Sequence, residues 1–154
     1  MRYTYNLMEE YVKKMYNSIG IYRPHQLDME LIAACLGTTL IYLPYGSMTV
    51  GNAILIDDRL SPAGQWQDFG HELCHIEWHD GNQRVLPSSY LNYQEWKASN
   101  FAYHACIPTF MLEGLDLPAS ESKSIHLLQE TFNVEYEFAK KRLTQYINNF
   151  QSIG

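Results

Sequence analysis

The chain has 154 residues, 46% hydrophobic and 18% charged, which suits one globular domain with a real core and excludes a disordered or fibrous polypeptide. Its net charge of −6, with lysines and arginines dispersed, offers no basic patch for phosphate backbones, so direct nucleic-acid binding is not expected. The first residues hold no apolar signal region and no apolar run approaches a membrane span, while Cys35, Cys74 and Cys106 lack CxxC spacing and suit reduced thiols, so the expected setting is the cytoplasm without a membrane.

Residues 5–18 form the first expected helix, with Leu7, Met8, Tyr11, Val12 and Met15 at helical spacing and Gly20 as the stop. A second covers residues 27–36 and ends at Gly37. The pattern then changes to short β-branched runs at 38–43 and 53–56, divided by Pro44, Gly46 and Gly51, with a short strand around 48–50 between them. Ser61-Pro62 starts another helix, Ser at the N-cap and Pro at the first helical position, which ends near Asp80-Gly81. Residues 92–102 have helical character. Two or three helices follow Pro108, including 122–131 and 134–150, the last capped by Asn133 with Glu135 and Glu137 in its first turn. The expected fold class is α+β: a small, mostly helical single domain over residues 1–154, its short β-sheet packed beside the helix that starts at Pro62.

That helix carries the chemistry, because residues 71–75 read His-Glu-Leu-Cys-His, an HExxH motif. Positions i and i+4 share one helix face, so His71 and His75 can offer nitrogens to one Zn²⁺. Glu72 beside them is the candidate general base toward water activated by the metal. Trp66, Phe69, Leu73 and Ile76 form an apolar stripe, and the two histidines lie about 140° and 180° around from Trp66, so one face packs while the other meets a cleft. Gly64 and Gly70 each weaken helix propensity by about 1 kcal/mol, so packing must hold this helix. Cys74, about 100° from His75, reads as a small buried thiol. His79, about 12 Å along the axis from His71, is too far to share its ion.

A catalytic zinc needs a third protein ligand and an open position. Glu95, twenty residues beyond His75, is the candidate, since a loop and a returning helix can bring the first turn of the latter to the metal. Ala98, Ser99 and Ala102 at i+3, i+4 and i+7 keep that face small enough for close approach. A rival reading makes Glu95 the N3 residue of an Asn92-x-x-Glu95 capping box. Beside HExxH the ligand is preferred. An oxyanion donor is also required. His104 lies about 180° around its helix from Glu95 and Tyr103 about 80°, so Tyr103 stays a candidate, while spacing places neither His25 nor His126.

His-Glu-Leu-x-His, then Glu95-x-x-Ala98-Ser99-x-Phe101-Ala102 and Pro108, resembles the ImmA/IrrE-type metallopeptidases, whose usual pattern is HELGH followed by E-x-x-A-N-x-F-A-x-x-L-L-x-P. Residues 53–57, Phe69, the run from Leu127 to Val134 and Arg142-Leu143 also fit, so the likeness spans residues 25–145. Cys74 stands where the family most often has Gly, and Cys106-Ile107 replaces a Leu-Leu or Leu-Met pair; neither removes a ligand. The spacing from the second histidine to Glu95 also matches the gluzincins, whereas a metzincin would need a third histidine at Gly81.

The resemblance implies a minimal gluzincin-like zinc peptidase, with metal ligands His71, His75 and Glu95 and catalytic Glu72. It further implies a protein substrate, a helix-turn-helix transcriptional repressor, whose cleavage derepresses a mobile element, prophage or stress response. The second reading is a regulatory protein that binds such a repressor without cutting it, its metal structural or vestigial. An intact Glu72 favours the enzyme, because a structural site has no use for a general base. A third is a non-peptidase hydrolase with the same geometry.

Overall fold

The structure, a computed structural model, describes residues 3–78 and 88–153. In chain order these hold helix α1 (Leu7–Ser18), a 3₁₀ turn (Pro24–Gln26), α2 (Met29–Leu36), strands β1 (Thr39–Leu43), β2 (Met48–Val50) and β3 (Ala53–Asp57), then helices α3 (Pro62–Glu77), α4 (Ser88–Cys106), α5 (Thr109–Leu112), α6 (Glu121–Phe132) and α7 (Tyr136–Ile153). This is the α+β composition read from the sequence. The residues cluster into two compact units, one of Met1–Asp28 with Tyr103–Gly154, the other of Met29–Ala102. Among the described residues no helix is long and apolar enough to cross a membrane.

In the second unit the sheet has the order β1-β3-β2, with β1 parallel to β3 and β2 antiparallel to it, Thr49 opposite Ile54. Gly51, in the turn between β2 and β3, takes φ +58°, a left-handed value that a side chain resists. Side chains alternate across a sheet, so Thr49, Ile54 and Ile56 share one face and Met48 and Val50 the other. Ile54 and Ile56 are buried, and their face meets α3; Met48 and Val50 are exposed. The α3 stripe of Trp66, Phe69, Leu73 and Ile76 is buried as its spacing requires. At about 1.5–3 kcal/mol for each large apolar side chain, that burial outweighs the two glycines. Trp78 ends α3, and its ring meets Phe101 of α4 edge-on at 5.3 Å with the Lys97 ammonium 4.3 Å from its centre.

The first unit is built around a polar network as well as an apolar core. Asn6 caps α1: its side chain accepts from the Glu9 N–H at 2.8 Å, and Glu9 Oε1 accepts from the Asn6 N–H at 2.9 Å, a capping box. Glu9 is buried, and its second oxygen accepts from the hydroxyls of Tyr3, at 2.6 Å, and Thr109. From α7, fully buried Arg142 donates through Nε to the Ile107 carbonyl at 2.9 Å and through Nη2 to Thr109 Oγ1 at 2.7 Å. Burial pulls the Arg142 guanidinium down to about 10, which still leaves it charged at neutral pH beside the Glu9 carboxylate that favours it. Tyr16 is buried too and donates to the Ala105 carbonyl at 2.6 Å.

Several boundaries differ from the sequence expectation, each for a local reason. The first helix starts at Leu7 because Asn6 caps it, and the second at Met29 because residues 24–26 turn first. Gly20 and Gly37 do stop the preceding helices, at φ +80° and +73°. The Ser61 side chain caps α3 by accepting from the Gly64 N–H at 3.1 Å, but the helix closes at Glu77 rather than near Asp80-Gly81, which with His79 lie outside the described residues. Asn133 is not the N-cap of the last helix. It is the C-cap of α6, in the left-handed region at φ 55°, where asparagine is tolerated, and its N–H donates to the Gln129 carbonyl. Accordingly α7 begins at Tyr136.

Buried His104, at the end of α4, gives this unit a pH dependence. Burial, with Arg142 nearby, pulls its imidazole from the ordinary 6.5 down to about 3. Below pH 6.5 the unfolded chain gains a proton that the folded chain refuses, so stability present above that pH is lost as acid is added. The loss is about 1.4 kcal/mol per pH unit until about pH 3. Urea unfolding between pH 6.5 and 4 is expected to show a slope steeper by one proton for wild type than for His104→Asn. Parallel profiles would remove His104 as the cause.

Candidate metal centre

All the residues of this site belong to the second unit. Helical spacing on α3 sets the His71 and His75 rings side by side, their centroids 5.5 Å apart. From α4, Glu95 spans the two: its Oε2 stands 2.8 Å from His71 Nε2 and its Oε1 3.1 Å from His75 Nε2. Asn92 lies inside α4, which already runs from Ser88, so it caps nothing and the capping-box reading of Glu95 falls. Glu95 is also well inside that helix rather than in its first turn. Buried Ala98 and Ala102 keep the helix face beside it small.

These three residues form the cluster of possible metal ligands found among the described residues, one donor atom from each, all within 4.8 Å of one another. Tetrahedral ligands about 2.1 Å from a zinc ion stand roughly 3.4 Å apart, near the 2.8 and 3.1 Å that separate Glu95 from the two histidines and inside the 4.8 Å that bounds the whole cluster. Two imidazoles and a carboxylate are also the donor chemistry of catalytic zinc sites. The residues therefore fit a zinc ion. The histidine side chains are 24% and 16% exposed and that of Glu95 54%, so the cluster is reachable from solvent on the Glu95 side.

Two residues that sequence reasoning did not assign to the site lie within hydrogen-bond distance of it. Ser99 Oγ lies 3.4 Å from His71 Nδ1. Without an ion, the 2.8 Å contact to the Glu95 carboxylate requires a proton on Nε2; an ion taking that proton's place would leave Nδ1 to carry the proton and donate it to the Ser99 oxygen, which is how an outer partner selects a ligand's tautomer. Thr49 on β2 points its hydroxyl at α3 and donates to Glu72 Oε1 at 3.0 Å and to the Glu72 carbonyl at 3.2 Å. Ser99 had a signal, the i+4 position from Glu95, but was read only as small. Thr49 had none, because it comes from a separate strand.

Glu72 follows His71 in the chain yet lies outside the cluster of possible ligands. Burial pushes its carboxyl up to about 7, against the lowering effects of His71 and the Thr49 hydrogen bond. A carboxyl in that range can take up and release a proton near neutral pH, as a general acid or base must. Cys74 beside His75 is buried, as its angular position implied, and none of the three cysteines forms a disulfide among the described residues. The remaining candidates belong to the first unit. Tyr103 packs its ring 4.5 Å from Phe138, His104 is buried near Arg142, His126 lies 6.3 Å from Tyr136, and His25 sits in the 3₁₀ turn.

The family described as IrrE N-terminal-like domain, Peptidase M78, matches residues 25–144. The chain is 38% identical over 150 residues to the uncharacterized protein YqaB of Bacillus subtilis (strain 168), covering 95% of this chain and 87% of YqaB. It is 40% identical over 143 residues to the phage-like element PBSX protein XkdA of the same organism, covering 90% of this chain and 72% of XkdA. A solved Mycobacterium tuberculosis transcriptional regulator shares the fold with a TM-score of 0.63 at 15% identity. The match covers 86% of this chain, and the chain spans 44% of that regulator's length. By the extent of the family match and by these relatives, the chain belongs to the IrrE N-terminal-like, M78 peptidase family.

Proposed function

We propose that this protein is a zinc-dependent, site-specific peptidase of the gluzincin type. The observation that carries the reading is the convergence of His71, His75 and Glu95 donors within 4.8 Å, with Glu72 beside them and outside the ligand set. His71 and His75 would hold the ion through Nε2 and Glu95 through its carboxylate. When bound, Zn²⁺ supplies Lewis acidity that makes water more acidic and polarises the scissile carbonyl. Glu72 accepts the proton given up by the attacking water and returns it to the leaving amine nitrogen, ending the cycle as it began. β2, an edge of the sheet among the described residues, offers backbone groups along which an extended substrate segment can pair as an added strand.

The proposed substrate is a helix-turn-helix transcriptional repressor, whose cleavage derepresses a mobile element, prophage or stress response. The reading is supported by the family, by kinship with a protein of the phage-like element PBSX, and by a net charge of −6 that suits a protein partner better than nucleic acid. A cytoplasmic setting follows from such a partner and suits three cysteines that form no disulfide among the described residues.

Elemental analysis of untagged protein is expected to find one zinc per chain. Glu95→Gln exchanges an anionic ligand for a neutral one, so its zinc affinity is expected to fall at least about tenfold while the metal-free protein melts as wild type does. Stoichiometric zinc that survives replacement of His71 and His75 together would sink the assignment. Incubation with a repressor encoded beside this gene is expected to yield fragments by mass spectrometry, suppressed by a chelator and restored by zinc. Cleavage indifferent to the chelator would remove the metal from the mechanism.

A further inference from the structure

We infer that Thr49 is a positioning residue for Glu72: its hydroxyl holds the Glu72 carboxylate in one orientation beside the His71, His75 and Glu95 cluster. The inference rests on the peptidase reading for its consequence, and on geometry for its substance. Glu72 is a long side chain with three rotatable bonds and takes no part in the ligand cluster, so neither a metal nor the helix by itself sets where its oxygens point. Among the described residues its carboxyl has one hydrogen-bond partner, the Thr49 hydroxyl at 3.0 Å. The same hydroxyl lies 3.2 Å from the Glu72 main-chain oxygen, so its single proton is shared between two oxygens of Glu72, with the carboxylate the nearer.

The register explains why this strand residue can serve a helix residue 23 positions away. Thr49 pairs with Ile54, whose side chain is buried on the face that meets α3, while Met48 and Val50 on either side of Thr49 project to the exposed face. A threonine in a strand is also an ordinary β-propensity choice. Propensity, however, has no use for the oxygen, and valine would meet the same steric demand.

That difference supplies the test. Thr49→Val keeps the β-branched shape and removes the donor; Thr49→Ser keeps the donor and removes the methyl group; Thr49→Ala is a second donor-free variant should the valine protein fail to fold. High-resolution crystal structures of the metal-free proteins are expected to find the Glu72 carboxylate in its wild-type position in Thr49→Ser and displaced in Thr49→Val or Thr49→Ala. Zinc affinity, measured by competition with a chromophoric chelator, is expected to stay within about threefold for all variants, since no ligand is touched. With a fluorogenic peptide built on the site cut by wild type, kcat is expected to fall about tenfold for Thr49→Val with KM within about twofold, and to recover to within about threefold for Thr49→Ser.

A Glu72 carboxylate that stays in place in the donor-free variants overturns the inference, whatever the rates do. So does a displaced carboxylate with unchanged kcat, or a serine variant that fails to restore both position and rate. If wild type cuts nothing, the peptidase reading fails, and the crystal structures still decide whether Thr49 holds Glu72.

Discussion

Glu72→Gln is expected to leave a folded protein with wild-type zinc content that cleaves the proposed repressor substrate at least about 10²-fold more slowly, the low end for loss of a general base. The amide matches the carboxylate in size and helix propensity, and its oxygen can still accept from the Thr49 hydroxyl at the 3.0 Å position. The proposed ligands His71, His75 and Glu95 are untouched. What disappears is the carboxylate that the proposed mechanism uses to take water's proton and return it to the leaving amine. Partner binding is expected to persist, so the variant should trap the complex. The measurement incubates both proteins with the repressor and follows fragments by mass spectrometry, with zinc determined in parallel. Equal derepression in cells by wild type and Glu72→Gln, with no fragments that depend on wild type, would falsify the peptidase reading and leave a non-cleaving antagonist.

Arg142→Met is expected to destabilise the protein by about 3 kcal/mol, a loss typical of removing one member of a buried, hydrogen-bonded charge network. The guanidinium is fully buried and serves the Ile107 carbonyl and Thr109 Oγ1, and Thr109 in turn donates to buried Glu9. Methionine fills much of the volume but leaves the carbonyl unpaired and the Glu9 carboxylate without its compensating cation. The double variant Glu9→Gln with Arg142→Met is therefore expected to lose less than the sum of the single changes, by at least about 1 kcal/mol. Arg142→Lys should not rescue, because a point-like ammonium cannot reproduce the planar fork that reaches two acceptors. Urea unfolding at pH 7 measures all of these proteins. An Arg142→Met protein within about 0.5 kcal/mol of wild type would mean that the network adds no net stability.

The fold class and the pair of candidate histidine ligands were legible in the sequence because they depend on residues within a turn or two of one another. Ser61-Pro62 opened the right helix, Gly20 and Gly37 closed theirs, and the strand around 48–50 stood where its β-branched run lay. His71 and His75 had to share a face because α-helix geometry leaves no alternative at four residues' separation. Glu95 was legible as a candidate, but Asn92 offered an equally local explanation, and only the course of α4 from Ser88 removed it. Asn133 was misassigned for a related reason: its side chain suits either end of a helix, and the choice turned on whether α6 or α7 claimed it.

What only the tertiary structure decided are pairings between distant segments. Thr49 meets Glu72 across 23 residues, Ser99 meets His71 across 28, and Arg142 meets the Ile107 carbonyl across 35. Such pairs depend on strand register and helix packing, to which each residue contributes a small and nonspecific preference. A lone strand threonine carries no sign of the carboxylate it will face. A lone arginine reads as surface, since that is where nearly all arginines lie, until Glu9 and Thr109 are brought to it and offset the cost of its burial.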